Sequence, residues 1–210
     1  MSDNEMSFME KLIGVITVPG ETFKHIPEKD IKKGLLIIII VALLSGFAGS
    51  TYFSKMSLGP QLSDMQSQMA PFIALANAIT YITRWLVPSL IIAGMAKLMI
   101  GEGNTKRLLA MTSYASMPLL IQQILRLIDS QIISSAEVGQ VIASRFTGEG
   151  LLIRFLNQGL YVLNIFGLIA LILTVYAVRE NYGTSTGKAA HVTIVSYLAY
   201  ILIRTFLPLI

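Results

Sequence analysis

The sequence predicts an all-α fold: a polytopic helical membrane protein with about five transmembrane helices and an N-terminal interfacial amphipathic helix. Three observations lead there. Hydrophobic residues make up 54% of the 210-residue chain and charged residues only 13%, about half the charge usual in a water-soluble domain. The charges gather in short connectors. Between those connectors run stretches of Leu, Ile, Val, Ala and Phe long enough to cross a bilayer, which takes about 20 mostly apolar residues.

Taken in order, residues 5–17 place Phe8, Met9, Leu12, Ile13 and Ile16 on one helical face, with Glu5, Glu10 and Lys11 elsewhere. That pattern suits a helix lying in the membrane interface. Val18-Pro19-Gly20 ends it, and a short piece from Glu21 to Ile26 carries Phe23 and Ile26 on one side before Pro27. Phe8, Leu12, Pro19 and Phe23 are the expected membrane-interface residues. Asp30 is positioned to cap the first span, 34–53. The chain thus divides into a cytoplasmic interfacial segment, 1–33, and a transmembrane domain, 34–210.

The second span comes from 72–100, which exceeds one untilted crossing. The third covers 107–132, the fourth 152–178 and the fifth 188–208. Pro88 and Pro118 are expected kinks. Before the second span, Leu62, Met65 and Met69 recur at helical spacing. After the third, Ser134-Ser135-Ala136-Glu137 resembles a capping box opening a helix with Val138, Val141, Ile142 and Phe146 on it. Both connectors read as helices resting on the membrane surface. In the first span Ala42, Gly46 and Ser50 repeat every four residues, a spacing that lets helices approach closely within the chain or between two copies.

A net charge of +4 is explained by lysines and arginines that keep loops on the cytoplasmic side rather than by nucleic acid, for which no basic stripe with interleaved aromatics exists. Threading five spans with the N-terminus inside puts ten of the 16 Lys and Arg residues on the cytoplasmic side and six on the other. The expected location is a cell membrane, N-terminus cytoplasmic and C-terminus outside. The polar start, MSDNEMSFMEK, does not read as a cleaved signal peptide. The absence of cysteine removes disulfides, thiol nucleophiles and thiolate metal sites.

Four arginines fall within or at the ends of spans. At about 1.5 Å per residue, Arg84 lies about 24 Å from the inner end of the second span. Arg126 lies about 27 Å along the third and Arg204 about 24 Å along the fifth. Arg154 opens the fourth at the same outer level, and Trp85 beside Arg84 suits an interfacial belt. Two readings stand. The arginines snorkel to outer headgroups, or they form a cationic ring that binds lipid phosphate or gates a cavity.

In the fourth span Arg154, Asn157, Tyr161 and Asn164 share one face, and in the third Gln122, Arg126 and Asp129 do the same. Buried amides need partners, so the two stripes are expected to face each other. They serve either as interhelical packing contacts or as the wall of a vestibule open to the outside. His25 and His191 lack metal-ligand spacing. HExxH, GxSxG, paired intramembrane aspartates and a phosphate-cradling loop are all missing. No enzyme, metal or cofactor is expected.

Three stretches together resemble one family. Val18-Pro19-Gly20-Glu21-Thr22-Phe23-Lys24-His25-Ile26 is similar to a Pro, Thr-Phe, Ile signature just before a first span. Ser113-Tyr114-Ala115-Ser116-Met117-Pro118-Leu119-Leu120 is similar to a Tyr-small-Pro-Leu motif in a third span. Tyr182-Gly183-Thr184-Ser185-Thr186-Gly187-Lys188-Ala189-Ala190 is similar to the polar linker that enters a last span. In that order they resemble the prokaryotic branch of the YIP (Ypt/Rab-interacting protein) family, which implies a five-span membrane fold from about Phe8 onward. The small-GTPase role of its eukaryotic relatives is not carried over, because the N-terminal region offers only about thirty residues.

The function expected from these readings is a non-enzymatic membrane scaffold or organiser of partners and bilayer. Its partners would be the lipid bilayer and a second copy or another membrane protein. The competing class is a transporter, channel or lipid-handling protein using the outer-half polar face.

Overall fold

A computed structural model of the chain describes residues 6–56, 63–138 and 164–206. Every regular element among them is helical: α1 (Phe8–Thr17), α2 (Pro19–Lys24), a 3-10 turn (Glu28–Asp30), α3 (Ile31–Ser54), α4 (Ser63–Met99), α5 (Thr105–Ala115), α6 (Met117–Ile132), α7 (Ile165–Tyr182) and α8 (Thr186–Phe206). Among the described residues, four helical stretches are long and apolar enough to cross a membrane: Glu28–Ser54, Met65–Met99, Ile165–Tyr182 and Thr186–Phe206. The pair α5 and α6, meeting at 41°, makes a fifth when counted as one broken span. The chain is a polytopic all-α membrane protein. Leu36, Leu43, Phe47, Phe72 and Leu98 stand exposed on its flanks, as lipid-facing side chains do.

α3 packs along α4 as an antiparallel pair, and Gly46 makes the close approach possible. A Cβ there would sit 2.7 Å from the Ala74 carbonyl oxygen. The small-residue stripe of the first span is therefore used inside the chain. At the far end of this pair, Gln66 Nε2 donates to the carbonyls of Phe53 and Met56 and so completes the end of α3. This contact corrects the expected surface helix before the second span. Residues 63–71 are the first turns of α4, which runs unbroken through Pro71 and Pro88, because no glycine or cap stops the helix there.

The third span breaks at Ser116. Pro118 offers no N–H to the Tyr114 carbonyl and clashes with it, so α5 stops at Ala115 and α6 restarts with the proline in its first turn. The fourth-span helix also departs from expectation. Asn164 has extended backbone (φ −62°, ψ 166°), and its Oδ1 accepts from the N–H of Phe166 and Gly167, both at 3.1 Å. It caps α7 instead of continuing a helical stripe from Arg154, and those earlier residues lie outside the described segments. Gly183 closes α7 in the left-handed region, with φ 58°, a conformation that suits glycine.

The N-terminal segment folds onto one end of the bundle. Val15, Phe23 and Ile26 are fully buried in the same cluster as Val41, Leu108, Tyr114 and Ala177. Phe8 packs edge-on against Tyr114, ring centroids 6.0 Å apart. From α5, Arg107 donates Nε to the Ile26 carbonyl (3.0 Å) and Nη2 to that of Lys24 (3.3 Å). Asn104, the cap of α5, donates to Glu28 Oε2 at 2.6 Å.

These contacts correct the expected interface residues. Phe23 is buried protein core, and Phe8 and Leu12 pack against that core from partly buried positions. Pro19 starts α2 at a half-buried position. The apolar residues of α1 that remain exposed are Met9, Ile13 and Ile16, followed by Val18. Lys11, read as polar-face, is buried and bonded to Asp30. Asp30 in turn forms no side-chain cap on α3; its carboxylate is occupied by lysines.

Candidate functional site

The end of the bundle away from the N-terminal segment gathers polar side chains among apolar walls. Where the chain breaks at Ser116, α6 swings aside and leaves a partly enclosed cavity of about 120 Å³ bounded by α4, α5, α6, α7 and α8. Arg84 reaches it from α4, Gln122 and Gln123 from α6, Asn164 and Gly167 from the start of α7, and Tyr197, Tyr200 and Arg204 from α8. Pro118 is thus the sequence feature that opens the space, and five helices furnish its walls.

On the α4–α5 side a hydrogen-bonded group sets the wall. Trp85 Nε1 donates to Thr112 Oγ1 at 3.3 Å, and Ser89 Oγ lies 3.0 Å from the same oxygen. The Thr112 hydroxyl donates to the Leu109 carbonyl at 3.2 Å. Trp85 is only 8% exposed. It belongs to this wall and not to an interfacial belt, because its N–H finds a hydroxyl between helices.

A second, shallower cleft adjoins the first through shared Gln122 and Asn164, and is lined by Leu125, Arg126, Asp129, Ile165 and Phe166. Asp129 Oδ2 accepts a hydrogen bond from the Tyr52 hydroxyl of α3. Arg126 Nη1 donates to Gln123 Oε1 at 3.4 Å. Lys55 ties the end of α3 to the carbonyls of Gln131 (2.7 Å) and Ile133 (2.9 Å).

Of the residues singled out from sequence, Arg84, Gln122, Asn164 and Arg204 line one cavity, and Arg126 and Asp129 line the cleft beside it. Arg154, Asn157 and Tyr161 lie outside the described residues. Arg204 is 7% exposed, so it is turned into the bundle rather than out to headgroups. Sequence reading overlooked Tyr81, Ser89, Thr112, Gln123, Tyr197 and Tyr200. The signal for some of them was available: Tyr197, Tyr200 and Arg204 recur at intervals of three and four, the one-face spacing.

Helical spans, a docked N-terminal segment and an internal cavity with polar side chains in its wall define a multi-pass membrane protein. The Yip1 domain matches residues 13–206. The chain belongs to the Yip1 family. No curated protein and no solved structure matches it. The match begins within α1 and ends with α8, so it takes in the docked segment as well as the bundle. The quoted motif residues Phe23, Ile26, Tyr114 and Ala189 all lie in the buried cluster at the docked end.

Proposed function

We propose that the chain is a non-enzymatic membrane organiser whose docked N-terminal segment acts on the cytoplasmic leaflet. The observation that carries this reading is the exposed apolar edge of α1. Met9 and Ile13 are 61% and 60% exposed, although the other side of the same helix is welded into the bundle by Lys11, Val15 and Phe8. A helix held at that position presents apolar side chains to the headgroup boundary without being free to leave it. Lys24, Lys29, Lys32 and Lys33 are exposed on the following stretch, Lys24 beside Glu21 and Lys33 beside Asp30, and basic side chains near an anionic surface are attracted to it. In the orientation given by the Lys and Arg distribution, both features face the anionic inner leaflet.

The test is remodelling of vesicles made from phosphatidylglycerol and phosphatidylcholine by the reconstituted full chain, followed by electron microscopy. Met9→Asp with Ile13→Asp should reduce remodelling while the bundle keeps its thermal stability. Unchanged remodelling would remove the organiser reading. Phe8 and Leu12 are unsuitable for this test, because they pack against the core and their loss would undock the segment.

The second reading is a transporter, channel or lipid-handling protein, favoured by the cavity that Arg84, Gln122, Asn164 and Arg204 line together. Flux through reconstituted vesicles that survives both Arg204→Leu and Asn164→Leu would exclude that pathway.

A further inference from the structure

We infer that the cavity between α4, α6, α7 and α8 holds the phosphate of an anionic amphiphile, whose acyl portion leaves through the cleft between α6 and α7. The inference concerns occupancy alone and stands whether the chain organises membrane or moves lipid.

Three features set the charge of the ligand. Arg84 and Arg204 reach the cavity from different helices, and a guanidinium stays charged and presents a rigid fork that matches phosphate oxygens. The N-terminal end of the 18-residue α7 lies at the same cavity, where Asn164 and Gly167 form part of the wall. The positive end of that helix dipole favours an anion. No Asp or Glu is found among the described residues that line the cavity. Gln122 and Gln123 add amide donors for the remaining oxygens.

Size and surroundings set the rest. A cavity of about 120 Å³ is close to the roughly 150 Å³ engineered cavity that admits one benzene. It takes a phosphate headgroup and not a whole lipid. The tail must therefore sit outside, and the adjoining cleft provides the route. Leu125, Ile165 and Phe166 line that cleft, with Leu125 and Ile165 exposed on the flank of the bundle. Arg126 is there too, but Asp129 stands beside it and accepts from Tyr52. A carboxylate at the mouth disfavours an anion in the cleft, which orients the phosphate inward and the chain outward.

The experiment is native mass spectrometry of the full chain after incubation with phosphatidylglycerol, in competition with phosphatidylcholine of the same chain length and with inorganic phosphate. Retention of phosphatidylglycerol over phosphatidylcholine is expected. Arg84→Gln and Arg204→Gln should each weaken it by on the order of tenfold, as loss of a hydrogen bond to a charged group does. Ala170→Leu, which keeps both arginines but fills cavity space, should weaken it as well. It decides the matter if the arginine variants do not fold. Failure of inorganic phosphate to displace the lipid identifies a lipid headgroup as occupant. Displacement supports the same phosphate site with a free anion in it. Equal retention of the two lipids, or unchanged retention in Ala170→Leu and in any folded arginine variant, overturns the inference.

Discussion

Lys11 Nζ lies 2.6 Å from Asp30 Oδ2, and the two side chains are only 4% and 2% exposed. This pair joins α1 to the threshold of α3. Lys33 Nζ, half-exposed, reaches the other carboxylate oxygen of Asp30 at 3.3 Å. A buried ion pair is weak support for stability as a whole, but removal of one partner strands the other charge and costs about 3–5 kcal/mol. Asp30→Asn should therefore lower the thermal unfolding temperature sharply in detergent. The double change Lys11→Met with Asp30→Leu should recover most of the loss. A double variant as damaged as the single one would mean that the pair is needed for more than charge balance.

Two helix starts carry reciprocal capping boxes. Ser7 N donates to Glu10 Oε2 at 2.6 Å while Ser7 Oγ accepts from Glu10 N at 3.3 Å, and Ser134 and Glu137 repeat the arrangement. The backbone bond from Ser7, and then its side-chain bond, hold the Glu10 carboxyl below its ordinary value of 4.5. A folded value below the unfolded one means that the stabilisation is fully present above pH 4.5 and is lost as pH falls through the folded value. The protection factors of the first-turn amides of α1, taken relative to the intrinsic exchange rate at each pH, should fall on acidification below that point. Glu10→Gln should abolish the pH dependence, and persistence of the acid response in that variant would place its origin elsewhere.

Arg107 holds α2 by its last carbonyls. Hydrogen bonds from a charged donor are worth about 1.5–3 kcal/mol each, and Arg107 makes two within 3.3 Å, to Ile26 and Lys24. Arg107→Ala should leave the bundle folded but release the segment 19–26, seen as loss of exchange protection and new proteolytic cleavage there. Protection equal to that of the unaltered chain would show that Phe23 and Ile26 hold the segment by burial alone.

Gly46 and Gly94 make a matched pair. A Cβ on Gly46 meets the Ala74 carbonyl at 2.7 Å, whereas one on Gly94 meets nothing within 4 Å. Gly46→Ala should force α3 away from α4 and cost about 1–3 kcal/mol. Gly94→Ala should be neutral or stabilise by up to about 1 kcal/mol through helix propensity. Unfolding temperatures measured side by side in one detergent check both, and equal effects would mean that the α3–α4 seam has slack.

Much of the site could be read in advance from depth. Counting residues along each helix put Arg84, Arg126 and Arg204 near one level, and two of the three do line one cavity with Asn164. Depth does not tell direction. Trp85 is buried where an interfacial belt was expected, and Arg204 turns inward, away from the snorkelling one of its two readings. The same limit applies to α1. Its apolar residues run most of the way round the helix, so periodicity found a face but chose the wrong half of it as lipid-facing.

The sequence by itself determined that this chain crosses a membrane several times, and it marked Pro118 as a kink in the third span. Each of these follows from local chemistry. A span needs enough apolar residues in one run, and a proline removes one N–H from the ladder, which coincides with a break at Pro118 although α4 continues through Pro71 and Pro88. Only the tertiary structure decided which side of each helix is inside, that Lys11 meets Asp30, and that five helices close on one cavity. The reason is that lipid is as apolar as a packed bundle. A leucine has no preference between the two, so hydrophobicity marks the span but not its neighbours, and only contacts such as Gly46 against Ala74 or Arg107 against Ile26 settle them.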